Sequence, residues 1–334
     1  MASRRPPDFN SPFLPTAMQA PPAGPDAPLF IVLNAGSGRD DASDARQTIE
    51  AACTAAGRRF RIFLIDGPDR VQTLAREAVE RARGAGGVVV AAGGDGTINA
   101  VAQATLGSGC AFGVLPQGTF NYFSRTHGIP RDTAEAMKVL LSEPPRPVQV
   151  GLVNDKVFLV NASMGLYAEL LEEREAYKSR FGRSRLIAFG AGLMTVLRGH
   201  RHWKLRMAWH GKERDIKTPT LFVGNNALQM QQVGIPEADA LEQGQLAAIA
   251  LKPVGPLAMP GLLIRGALGK LGGAEHVLSF PFQSMTVKGS ARRVKVATDG
   301  EIGWLDMPLL FRVSPEPLWL IRPDVAPELE AAKE

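Results

Sequence analysis

The run Gly93-Gly94-Asp95-Gly96-Thr97 constrains this chain more than any other feature, because it stands directly after the apolar run Val88–Ala92 and before a helical pattern opening at Ile98. Glycines at a strand end let the backbone turn sharply and approach a ligand, and free N–H groups at the next helix start point at anions. The segment therefore reads as a phosphate cradle. Asp95 adds a carboxylate for a metal–phosphate complex, and Thr97 adds a hydroxyl for a phosphate oxygen. The other reading is a tight strand-to-helix turn in which Asp95 or Thr97 only caps the helix.

On both sides of this run the pattern alternates. Apolar runs at Phe30–Leu33, Phe60–Ile65, Val88–Ala92 and Ala111–Leu115 are interleaved with helical stretches at Asp44–Ala56, Arg70–Arg83, Ile98–Thr105 and Asp132–Leu141, with Asp132 as N-cap. Strands alternating with helices predict an α/β domain over residues 29–147 with a doubly wound, mainly parallel sheet. Pro144, Pro145 and Pro147 then interrupt the chain. Short β-type segments follow at Gln149–Val153, Lys156–Ala162, Lys204–Trp209, Thr220–Val223, Gln245–Leu251, Met285–Gly289, Val294–Thr298 and Leu309–Val313, which predict a β-rich, mostly antiparallel domain over 148–325. Residues 1–28 hold eight prolines and no apolar periodicity and read as a flexible leader, with 326–334 as a tail.

Two further loops stand at the carboxyl ends of predicted strands, where ligands collect in a doubly wound sheet. One is Asn34-Ala35-Gly36-Ser37-Gly38, which by itself reads equally well as an ordinary turn; the other is Pro116-Gln117-Gly118-Thr119-Phe120-Asn121, for which the alternative is local turn hydrogen bonding by Thr119 and Asn121. With Gly93–Thr97 they converge on a nucleotide crevice. Asp299-Gly300-Glu301, after Val294–Thr298, has the composition of a hairpin turn, and Glu301 matters to chemistry only if the fold brings it to that crevice.

Lys+Arg 38 against Asp+Glu 33 gives 38 − 33 = +5, a balance that favours anionic partners without choosing among nucleotides, acidic lipid surfaces and nucleic acid. Few aromatics argue against nucleic-acid binding. Two cysteines, Cys53 and Cys110, exclude a disulfide scaffold and suit a reducing compartment. The longest uncharged run, Gly96–Ser124, is too polar for a membrane span, and the Pro-rich leader does not look like a secretory signal, so a cytoplasmic location is expected. There is no Walker loop, no protein-kinase motif set and no nucleophile elbow, and the five histidines form no zinc pattern.

These residues together resemble the diacylglycerol kinase catalytic family, specifically its bacterial soluble lipid kinases, related also to sphingosine and ceramide kinases. The resemblance runs from about Leu29 to Ile321 and is carried by Gly93–Asn99, by Gly118-Thr119-Phe120-Asn121 with Gly128-Ile129-Pro130, by Asn161-Ala162-Ser163-Met164-Gly165 and by Asp299-Gly300-Glu301. It implies a fold like that of phosphofructokinases and NAD kinases, with the nucleotide cleft between the α/β and β-rich domains. It also implies an ATP- and Mg²⁺-dependent kinase acting on a hydroxyl of diacylglycerol or a related glycerolipid.

Gly93, Gly94, Asp95, Gly96, Thr97, Ile98, Asn99 and Thr119 would contact the nucleotide, with Asn34, Gly36, Ser37, Gly118 and Asn121 completing the crevice. Asp95 would organise Mg²⁺ and the phosphates, and Glu301 would take the proton from the lipid hydroxyl. Departures are visible too. Ala35 replaces a family proline, the nucleotide-touching threonine is not evident among Leu64, Ile65 and Asp66, and Tyr122 stands in place of an aspartate. Gln243 stands where relatives often have an aspartate for an accessory structural Mg²⁺, so the sequence leaves open whether that metal site is kept. The same motifs leave a sphingoid or ceramide kinase and an NAD kinase as rival enzymes, and a catalytically silent lipid- or nucleotide-binding protein as a rival of another class. The basic helical stretch Ala168–Arg201 reads either as a solvated face or as a lip for peripheral contact with an anionic membrane surface. The motifs do not fix an oligomeric state.

Overall fold

The computed structural model describes residues 20–21, 23–34, 39–165, 202–232, 234–253 and 276–324, with backbone alone at 39–42 and 68. Most of the expected leader, Gly36 and Ser37, the whole basic stretch from Ala168 and the tail lie outside the described residues.

The first unit is built on continuous apolar strands. β1 (Leu29–Asn34), β2 (Phe60–Ile65), β3 (Val88–Gly93) and β4 (Ala111–Pro116) pair in parallel in the order β2-β1-β3-β4. β1, β3 and β4 are buried along nearly their whole length because helices cover both faces, so they carry unbroken hydrophobic runs rather than alternation. The helices are α1 (Arg39–Ala55), α2 (Val71–Ala85), α3 (Asp95–Thr105), the short α4 (Tyr122–Thr126) and α5 (Thr133–Ser142). α2 stops where Gly86 takes a left-handed φ of 60°. α5 starts as expected at Asp132, whose carboxylate accepts the Glu135 N–H at 3.0 Å.

β5 (Pro145–Val148) then joins this same sheet, although Pro144, Pro145 and Pro147 read as an interruption. It pairs with a strand from much later in the chain, β18 (Leu318–Ile321), which itself lies parallel to β4, giving the order β2-β1-β3-β4-β18-β5. A proline-rich strand is tolerated there because it is an edge.

The second unit packs two antiparallel sheets face to face. One has the order β10-β9-β14-β17-β6-β7: β6 (Gly151–Val153), β7 (Lys156–Phe158), β9 (Trp203–Trp209), β10 (Lys212–Thr218), β14 (Ser284–Gly289) and β17 (Leu309–Val313). The other has the order β13-β12-β11-β8-β15-β16: β8 (Asn161–Gly165), β11 (Thr220–Gly224), β12 (Leu246–Leu251), β13 (Val277–Phe282), β15 (Arg293–Thr298) and β16 (Glu301–Asp306). Phe158, Met207, Met285 and Phe311 of the first meet Met164, Leu221, Phe282 and Val296 of the second in one core. Two short helices, α6 (Ala227–Gln232) and α7 (Ala238–Glu242), pack on β11 and β12 outside that sandwich.

The expected single run Lys156–Ala162 is in fact two strands, because the chain crosses from one sheet to the other at Leu159 and Val160. That crossing strips N–H groups of their ladder partners and so creates a demand for acceptors.

Candidate functional site

The strand order places a topological switch between β1 and β3, since the chain leaves β1 toward β2 on one side and β3 on the other. Asn34 ends β1, Gly93 ends β3, and the Asn34 amide donates across the switch to the Thr97 hydroxyl at 3.0 Å. Helix α3 begins at Asp95, so Asp95, Gly96 and Thr97 form its first turn and the bare turn is Gly93-Gly94 alone. Gly93 has to be glycine here: a Cβ would lie 2.8 Å from the Thr97 Cβ.

The second loop locks onto the first. Gln117 N–H donates to the Gly93 carbonyl at 2.9 Å, and a Cβ on Gly118 would meet the Gly94 Cα at 3.0 Å. Asn121, in a left-handed conformation with φ 48°, closes this turn on itself. Its Oδ1 accepts the Gly118 N–H at 3.0 Å, its Nδ2 donates to the Gly118 carbonyl at 2.8 Å, and its own N–H donates to Asp95 Oδ2 at 3.1 Å. The local turn bonding weighed for this loop is thus present, and it holds the Asp95 carboxylate in place.

Asp299 does the equivalent work from the other unit. Asp299 and Gly300 form the two-residue turn between β15 and β16, with φ of 50° and 94°, the doubly positive pattern of a primed hairpin. The Asp299 carboxylate accepts the N–H groups of Leu159, Val160 and Asn161 at 2.7, 2.8 and 2.9 Å, those freed where the chain changes sheets, and the Asn99 amide at 2.6 Å. Asn99 also donates to the Val157 carbonyl at 3.0 Å, and one turn later Gln103 accepts from Val157 N–H at 2.8 Å and donates to the Asp155 carbonyl at 3.2 Å. Helix α3 is thereby stitched to β7 and to the hairpin turn. The next residue, Glu301, is carried onto the glycine loop: a Cβ on Gly96 would lie 2.9 Å from Glu301 Oε1.

At the base of the site two carboxylates, those of Asp95 and Asp299, act on each other. Burial, with the Asp299 charge added, pushes the Asp95 carboxyl up to about 6, against the N–H groups of Asn121 and Phe123. Burial also raises Asp299, opposed by its four donors. Asp95 Oδ1 is shielded from solvent and has no hydrogen-bond partner. An orphaned carboxylate oxygen beside a second buried carboxylate fits a divalent cation.

A cleft of about 1040 Å³ opens between the units, lined by Asn34, Gly94, Gly96, Thr97 and Asn99 on one side and by Lys156, Thr298 and β16 from Glu301 onward on the other. Asn34, Gly94, Gly96, Thr97, Asn99 and Glu301 therefore converge, with Gly93, Asp95, Gly118 and Asn121 forming the frame beneath. Two expected contacts stand elsewhere. Ile98 is fully buried in the core of the first unit and its N–H bonds the Gly94 carbonyl. Thr119 is exposed and lines a separate hollow of about 240 Å³ with Arg125 and Arg131. Gln243 caps α7, its N–H donating to the Ala240 carbonyl.

Asn99 was expected as a nucleotide contact, and its bond to Asp299 was not foreseen; nor was Gln103. The signal was available: Asn99 and Gln103 stand four apart on α3, opposite its buried Ile98, Val101 and Ala102, and polar residues at that spacing share one face.

The fold is a parallel sheet with a glycine turn at its switch point, set across a cleft from an antiparallel sandwich. Comparison with known proteins makes this specific. Residues 28–153 match the family model of the diacylglycerol kinase catalytic domain, a stretch that takes in the first unit up to β5 and β6 of the second. A "Probable lipid kinase YegS-like" from Chromohalobacter salexigens is 31% identical over 212 residues, 61% of this chain and 64% of its own. A relative of the same name from Pseudomonas aeruginosa is 39% identical over 142 residues, 41% of this chain and 44% of its own, and one from Klebsiella pneumoniae is 36% identical over 128 residues, 35% and 43%. The matched stretches thus span less than two thirds of these curated relatives. A crystal structure of a diacylglycerol kinase from Bacillus anthracis superposes with a TM-score of 0.64 at 20% identity, covering 90% of this chain and 97% of that one, so the two share a fold.

Proposed function

We propose that this protein is a lipid kinase that transfers the γ-phosphoryl group of ATP to a free hydroxyl of diacylglycerol or a related glycerolipid. The observation that carries this reading is the placing of Glu301, from the far end of the chain, against Gly96 of the phosphate cradle. Phosphoryl transfer needs positioned phosphates, neutralised charge and an acceptor for the hydroxyl proton. The Gly93-Gly94 turn and the start of α3 hold the phosphates, with the Thr97 hydroxyl fixed by Asn34. Glu301 takes the acceptor's proton as its hydroxyl oxygen attacks the γ-phosphorus, and the bond from that phosphorus to the ADP oxygen breaks. Asp95, through Oδ1, is the residue that would hold Mg²⁺, which when bound neutralises phosphate charge.

The test is transfer of labelled phosphate from ATP, with Mg²⁺, to diacylglycerol, phosphatidylglycerol, a sphingoid base, ceramide and NAD in mixed micelles. Transfer to one glycerolipid is expected, falling at least about 1,000-fold in Asp95→Asn and in Glu301→Gln while the fold survives. Transfer to sphingoid base, ceramide or NAD instead would replace the substrate assignment. Retained turnover in Glu301→Gln would remove it as the base, and ATP binding without transfer to any acceptor would overturn the kinase reading.

A further inference from the structure

The most exposed large apolar side chain among the described residues is Trp304, at 55%. It lies in β16, the outermost strand of its sheet, directly across from Lys295 of β15. The Lys295 ammonium sits 5.6 Å and the Arg293 guanidinium 6.0 Å from the centre of the indole ring. Strand alternation sorts this hairpin into two faces. Val294, Val296 and Thr298, with Leu305, Gly303 and Glu301 opposite them, share the face toward the sandwich interior and the cleft, whereas Arg293, Lys295 and Trp304 share the other. Because β16 is an edge, Trp304 also lines the rim of the cleft, so the patch stands at the cleft mouth with Arg293 and Lys295 on the face away from the proton acceptor. Arg293 also meets Asp306 at 3.4 Å, an exposed pair that leaves the ring itself open to solvent.

We propose that this outer face of the β15–β16 hairpin is where the protein seats on an anionic lipid surface. Trp is the side chain best suited to the boundary between water and acyl chains, being apolar in body and polar at its N–H. Flanking cations match the negative potential of an anionic leaflet, and because they already rest on the indole they enter the surface as one unit. Seated this way, the bilayer lies along the cleft mouth, and an acceptor hydroxyl at the membrane surface reaches Glu301 from the other side of the same strand. The proposal takes its membrane-borne acceptor from the lipid-kinase reading, but the binding itself is measurable without turnover.

The experiment is co-sedimentation of the full chain with vesicles of phosphatidylcholine alone and with about one third phosphatidylglycerol, at low and high salt, alongside turnover on acceptor dispersed in detergent. Wild type is expected to bind the anionic vesicles, more weakly as salt rises, and the neutral ones little. Trp304→Ala should weaken that binding about tenfold, and Arg293→Gln/Lys295→Gln about fivefold per cation while losing most of its salt dependence. The double cation variant should turn over detergent-dispersed acceptor at the wild-type rate. Vesicle binding of both variants equal to wild type, or no vesicle binding by wild type, overturns the proposal. Equal binding to neutral and anionic vesicles at any salt overturns it as well. Vesicle binding that follows these expectations, with no transfer to any acceptor, would leave the surface standing and remove the kinase reading.

Discussion

Asp299 carries more of this site than its place in a two-residue turn suggests. A carboxylate that accepts four N–H groups from two units is a fixed point, and Glu301 is held two residues from it. Asp299 is therefore a positioning residue. Asp299→Asn puts an amide NH₂ among N–H donors, and kcat is expected to fall about 100-fold with the KM for ATP within about threefold. If Asp299 acts through Glu301, adding it to Glu301→Gln should cost little more, whereas independent losses that multiply would show a different role. Steady-state kinetics of the two single variants and the double variant decide it. At this scale the sequence was partly legible: the glycines and Asp95 are readable as chemistry from their place between strand and helix, whereas Glu301, beside an Asp-Gly pair that reads as a hairpin turn, is singled out only by the family resemblance. Ile98 and Thr119 were not, because a motif names neighbours in the chain and says nothing of which side chains turn into the core.

Helix α3 is both the anion-binding end of one unit and the bridge to the other. Its first turn holds Asp95, Gly96 and Thr97, and its second and third turns send Asn99 and Gln103 across to β7 and the hairpin. Gly96 separates these two duties experimentally. Alanine inside a helix is favoured over glycine by up to about 1 kcal/mol, yet its methyl would meet Glu301 Oε1. Gly96→Ala is expected to unfold at the same temperature as wild type or higher while losing at least about tenfold in turnover; calorimetry and transfer assays on one preparation test it. Unchanged turnover would mean that Glu301 does not work from that position. Among the elements, those with strong periodicity, β1 to β4 and α2, α3 and α5, were legible in advance. β10, β13, β16 and β18 escaped because Lys212–Thr218 is mostly polar, the apolar runs of the others are short, and only tertiary pairing makes them strands.

In the molecule as a whole, the boundary between the units is not a single cut. The chain leaves the first unit after β5 and comes back to it at β18, which slots between β4 and β5 with Leu318, Leu320 and Ile321 buried. Local pattern reading assigns β18 to the second domain because nothing in four apolar residues reveals a partner some two hundred positions away. Leu320→Ala is expected to cost about 2–5 kcal/mol in denaturant unfolding, and to weaken ATP binding although it touches no site residue. A loss below about 1 kcal/mol would make β18 dispensable to the sheet.

The same strand sets an order in time. Every glycine of the phosphate cradle is made some two hundred residues before β18, and until residues 318–321 emerge from the ribosome, β4 is a bare edge and β5 has nothing to pair with. Pairing across so long a stretch is slow to form, so the cradle is synthesised well before the sheet beneath it is complete. A nascent chain thus exposes an unfinished hydrophobic sheet for as long as the second unit is being made.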